Sequence, residues 1–78
     1  MAGMLHKWAF KSSLKKEVEW KIGKDRMKYW EQRINKSDYD AMWEHIYQKS
    51  LVSGVTDATA LLSFCRDLAI ATFDEMAG

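Results

Sequence analysis

Covalent chemistry in this chain would have to start from Cys65, His6 or His45, its only thiol and its only two imidazoles. A nucleophilic thiol needs an adjacent base. Cys65 falls instead in an apolar helical stretch with Leu61, Leu62 and Leu68 around it, the setting of a small buried hydrophobe. His45 lies between Trp43 and Ile46, and its neighbour Glu44 diverges from it on a helix. Neither histidine has a second ligand at a spacing such as HExxH, so no metal set is expected. Gly3, Gly23, Gly54 and Gly78 are too far apart for a phosphate-cradling loop. A non-catalytic protein without cofactor or metal is the expectation.

Binding chemistry is better represented. Residues 1–36 hold ten Lys and Arg against four acids, a formal +6, while residues 37–78 hold two bases against seven acids, a formal −5. The net charge of +1 therefore conceals a strong asymmetry along the chain. Either one half meets an anionic partner or the two halves meet each other. In the basic half, Lys7, Lys11, Lys15, Lys16, Lys21 and Lys24 are interleaved with Trp8, Phe10 and Trp20. Cations beside aromatic rings suit a protein interface, where Trp, Tyr and Arg are enriched. They also suit a single-stranded nucleic acid, whose phosphates pair with cations while its bases stack on rings. Lys21, Arg26, Lys28, Trp30 and Arg33 are the candidate partner contacts. A helix-turn-helix reader is excluded, because its recognition helix would carry only Arg66 among Asp57, Asp67, Asp74 and Glu75.

These residues need elements to carry them. Ser37 before Asp38 and Asp40 predicts a helix start, and Tyr39, Met42, Trp43, Ile46, Tyr47 and Leu51 repeat at helical spacing up to a stop at Gly54. Thr56 predicts the cap of a second helix with two apolar stripes: Leu61, Phe64, Leu68 and Ala71, then Ala58, Leu62, Cys65, Ala69 and Met76. Two stripes predict burial over most of its circumference, either as the central core element or facing a second subunit as well. In the basic half, Lys16–Ile22 alternates polar and apolar, the period of a half-buried strand. Gly23-Lys24 then predicts a hairpin turn that sets Trp20 opposite Met27, Val18 opposite Tyr29 and Glu19 opposite Lys28. His6, Trp8 and Phe10 alternate too, and suggest a third strand ending in a turn at Lys11-Ser12-Ser13.

The expected fold is therefore α+β in one domain over residues 1–78. Residues 1–36 form a β-rich basic hairpin or three-stranded meander, packed on the acidic helical hairpin of residues 37–78. An all-α bundle is the alternative, with Gly23 costing a helix over Ser13–Ile34 about 1 kcal/mol. A composition of 47% hydrophobic residues with four Trp and no Pro argues against disorder. A lone cysteine excludes an internal disulfide, and the N-terminus shows no apolar leader, so a cytoplasmic location is expected. The stretch Ala58–Phe73 carries Ser63, Arg66 and Asp67, too polar for a membrane span. The expected function is that of a small regulator or inhibitor occupying a surface of a larger protein. Nucleic-acid binding through the basic half is the alternative, a homodimer is compatible, and phage or mobile-element origin is suggested by analogy alone.

Overall fold

The computed structural model describes residues 6–78. The expectation that the N-terminus holds no apolar leader rests largely on residues 1–5, which lie outside them. Among the described residues there are four helices and no strand: α1 (Lys7–Ile22), α2 (Lys24–Arg33), α3 (Lys36–Leu51) and α4 (Ala58–Ala77). The β-rich hairpin or meander is thus overturned, and the all-helical alternative fits. None of the proposed strand pairs exists. The supposed Lys11-Ser12-Ser13 turn lies inside α1.

The physical reason lies in which apolar residues are hidden. Phe10, Leu14 and Val18 are buried and Ile22 is half-buried, a four-residue stripe along one side of α1. Trp20, which created the apparent alternation, is 78% exposed. Gly23 does not burden a helix interior either. It sits at the junction of α1 and α2 with φ +91° and ψ 159°, a conformation open to glycine and costly for other residues. The chain turns there, so α2 starts in a new direction and buries Met27 and Trp30, followed by Ile34.

The acidic half follows the expected plan with shifted caps. Asn35, rather than Ser37, caps α3, its Oδ1 accepting from the Asp38 backbone N–H at 2.8 Å. Asp57, rather than Thr56, caps α4, its Oδ2 accepting from the Ala60 N–H at 2.8 Å. Gly54 takes φ +79° in the link between them. On α4 only one stripe is fully buried, that of Cys65, Ala69, Phe73 and Ala77. The side bearing Ala60, Phe64 and Ala71 faces outward, so the expected burial around most of the circumference does not occur.

Helix α4 packs on all three other helices. The shortest dimension of the molecule is 18 Å, the thickness of two helical layers. Phe73 is the centre of the core: its ring lies 4.9 Å from that of Trp30, 5.2 Å from Tyr39 and 4.7 Å from Trp43 between centroids. Aromatic pairs at such separations add about 0.5–1.5 kcal/mol each beyond their area burial. This cluster joins α2, α3 and α4, and Phe10 on α1 extends it by packing 5.8 Å from the Tyr47 ring. No helix among the described residues is long and apolar enough to cross a membrane.

Candidate interaction surface

The five contact residues expected from sequence divide into three groups. Trp30 is fully buried and donates its indole N–H to Asp74 Oδ1 at 2.9 Å, so it forms core and no surface. Its selection as a contact was wrong because the strand register turned it outward, whereas α2 turns it inward. Arg26 is exposed but held by Asp74, with Nε 3.2 Å from Oδ1 and a second bond from the other nitrogen to Oδ2. Lys21, Lys28 and Arg33 are exposed and have no carboxylate partner among the described residues. Arg33 lies 5.5 Å from the centre of the Tyr29 ring, which holds that cation over an exposed aromatic face.

Much of the charge asymmetry is consumed internally. Lys7 and Lys11 each reach Glu44 at 2.8 Å, Arg26 reaches Asp74, and Arg66 crosses the other way to Glu17 at 3.1 Å. The two halves therefore do meet each other, through opposite charges on facing helices. Lys11 and Lys7, helped by Gln48, hold the Glu44 carboxyl down to about 2. Burial pushes the Asp74 carboxyl up, but Arg26 and the Trp30 N–H outweigh it and hold it below its ordinary value.

What the ion pairs leave over is a coherent outer face on α1. Trp8 is 71% exposed and Trp20 78%, and both lie on the side opposite the Phe10–Leu14–Val18 stripe. Helical spacing puts Ser12 and Lys16 between them, and a rise of about 1.5 Å per residue sets the two indoles about 18 Å apart. Lys16 is exposed and has no carboxylate partner among the described residues. At the lower end, Trp20, Lys21 and Lys24 gather at the Gly23 corner, from which Lys28 and Tyr29 continue along α2. Sequence reasoning included Trp8, Lys16 and Trp20 in the basic aromatic segment but named none of them as a contact, and the strand register turned Trp20 to the core. A usable signal was present, because Phe10, Leu14, Val18 and Ile22 form an uninterrupted i,i+4 series that leaves both tryptophans off the buried side.

Two open grooves flank α1. One, about 400 Å³, is lined by Trp8, Lys11, Ser12, Lys15, Asp40 and Trp43; the other, about 450 Å³, shares Lys15 and Asp40 and extends to Ile34 and Tyr39. Lys15 lies 5.5 Å from the centre of the Trp43 ring, and Asp40 is paired with Lys36 at 3.3 Å. Each groove thus mixes both signs of charge and presents no concentrated field. The Trp43 indole N–H is buried without a hydrogen-bond partner, leaving one core donor unsatisfied. Burial pushes the neighbouring Tyr39 hydroxyl up in pKa, with the Trp43 indole opposing.

The residues that could have carried chemistry lie apart from one another. Cys65 is buried, and burial pushes its thiol up, away from the thiolate a nucleophile needs. His6 caps α1, its Nδ1 accepting from the Trp8 backbone N–H at 3.2 Å, while His45 is exposed on the outer side of α3. No group of three His, Cys, Asp or Glu able to hold a metal is found among the described residues. Comparison with protein-family models, curated proteins and solved structures returns no match, so the surface has to be interpreted from its own chemistry.

Proposed function

We propose that this chain is a non-catalytic binding protein, a regulator or inhibitor that acts by covering an acidic surface of a larger protein. The observation that supports this reading most is the outer face of α1, where two tryptophans more than 70% exposed flank Lys16. Leaving two indoles in water forgoes burial worth roughly 25 cal/mol per Å² of apolar surface, in a domain already short of core. Tryptophans that are spaced along one helix, with Lys11 over the Trp8 ring and Lys16 and Lys24 within a turn of Trp20, can anchor in two pockets of a partner. Lysines around them steer the approach of an acidic surface and speed association.

A photo-crosslinking residue in place of Trp20 tests this in the native host after nuclease treatment. The expected result is one predominant crosslinked protein, lost when Lys16→Glu is added and absent when the crosslinker replaces His45. Equal crosslinking from positions 20 and 45 would remove the surface. Binding to generic single-stranded oligonucleotides, with log affinity falling steeply and linearly against log salt, would transfer the same face to the nucleic-acid class.

A further inference from the structure

The two tryptophans of the α1 face are held differently. The Lys11 ammonium, one turn along the helix from Trp8, lies 5.6 Å from the centre of its ring. Lys11 is itself anchored: its Nζ donates to Glu44 Oε1 on α3 at 2.8 Å, and its side chain is only 15% exposed. Glu44 is braced in turn by Lys7, 2.8 Å from the same oxygen, and by the Gln48 amide, which donates to Oε2 at 2.9 Å. The backbone at Trp8 is tied as well, its N–H donating to His6 Nδ1 at 3.2 Å. Among the described residues, no cation lies over the Trp20 ring and no other ring packs against it.

We propose that Glu44 is a positioning residue for the docking face: through Lys11 it holds the Trp8 indole in one orientation, while Trp20 stays free to adapt. On the reading of α1 as the docking surface, on which this role rests, Trp8 is the anchor set before the partner arrives. A lysine on its flexible four-carbon stem does not by itself keep its ammonium over one ring. Tied to a carboxylate on another helix, it becomes a fixed cation against which the indole settles. Side chains ordered in advance lose less freedom on docking, and each one that must instead be ordered at that moment weakens a complex roughly twofold to tenfold. Lys7 supplies the contrast. It shares the Glu44 carboxylate but lies 5.6 Å from the centre of the Tyr47 ring, so it braces α1 on α3 without reaching Trp8 through that carboxylate.

Nuclear magnetic relaxation of the indole N–H groups in the free protein is the first test, with the helicity of each variant followed by circular dichroism. In the natural chain the order parameter of Trp8 should be about 0.85, that of rigid backbone, and that of Trp20 below about 0.6. Glu44→Ala and Lys11→Met should each bring Trp8 down to the Trp20 level. Lys7→Met removes a pair to the same carboxylate and should leave Trp8 ordered. Photo-crosslinking from position 20 in the native host gives the second readout. Glu44→Ala makes the protein more positive, so charge alone would raise the yield of an acidic partner. Loss of positioning lowers it instead, by about twofold to tenfold. Trp8 as mobile as Trp20 in the natural chain, an unchanged Trp8 in Glu44→Ala, equal effects of Lys7→Met and Lys11→Met, or a crosslinking yield that does not fall would each overturn the role of Glu44. Failure of the docking surface itself reads differently: Trp8 would be ordered through Glu44 as described, yet crosslinking from positions 20 and 45 would be equal, which strikes its part as an anchor.

Discussion

Asp74 is the residue whose removal best separates the forces that close this bundle. Its carboxylate lies near the end of α4 and holds two donors from α2: the fully buried Trp30 indole at 2.9 Å, and the exposed Arg26 guanidinium. The two bonds have different worth. The Arg26 side chain is 48% exposed, and an ion pair in such a setting contributes under about 1 kcal/mol. The indole N–H has no exposed surface from which to reach water, so losing its acceptor costs about 1–3 kcal/mol. Asp74→Ala is therefore expected to cost about 2–3 kcal/mol in urea unfolding, and Arg26→Ala under about 1 kcal/mol. Asp74→Asn keeps a carbonyl acceptor for the indole and should fall between them. A double-mutant cycle against Trp30→Phe, which deletes the N–H, should show a coupling of about 1–2 kcal/mol between Asp74 and Trp30. Equal losses for Asp74→Ala and Arg26→Ala, with no Asp74–Trp30 coupling, would refute the assignment of the energy to the buried bond. The acid limb gives an independent reading. Because the folded carboxyl titrates below its ordinary 3.8, its contribution is present above that value and fades as pH falls through the folded pKa. The natural chain should thus lose stability through that acid range, and Asp74→Asn should lose less of it.

Two further substitutions address the core and the chain reversal. Phe73→Ala removes the ring shared by Trp30, Tyr39 and Trp43. It should cost about 3–5 kcal/mol by urea titration, much of what a domain of this size commonly has; a loss under about 1 kcal/mol would mean that the cluster is not the core. Gly23→Ala meets no atom within 4 Å of the new Cβ, so its cost is purely conformational. About 1–3 kcal/mol is expected from forcing alanine to φ +91°, and a neutral result would show that α1 and α2 do not turn there as described.

The legible part of this fold was α3, where most of the large apolar residues serve the core. In α3, Tyr39, Trp43 and Ile46 are apolar and buried, and the sequence period reports the helix directly. In α1 the period is obscured because Trp8 and Trp20 are apolar by type and solvent-facing in place. Reading Trp20 as core converts the buried Leu14–Val18–Ile22 stripe into an apparent alternation, and the strand follows from that one error. Gly23 then strengthened it, because a glycine after an alternating run fits a hairpin turn as well as it fits a break between two helices. Chain length could have decided between them. Phe10 to Ile22 holds one i,i+4 stripe through three turns, longer than the alternation it competed with. The site residues were misplaced for the same reason: a wrong period turned Trp30 outward and Trp20 inward together.

That exchange also explains why net charge by segment was a partial guide to the surface. A segment total does not say which lysines are held by carboxylates brought from elsewhere in the chain. Glu44 takes Lys7 and Lys11 out of the basic set and Asp74 takes Arg26, both across more than thirty residues of sequence. The exposed cations left without carboxylates on α1 and α2 include Lys16, Lys21, Lys24, Lys28 and Arg33, and among them Lys16 lies one turn from Trp20 and Arg33 lies over the Tyr29 ring. A solvated charge face needs no aromatic beside it, since water alone satisfies a lysine. Rings and unpaired cations kept together on one side, with the ion pairs spent on holding helices to each other, are what a docking face for an acidic partner requires.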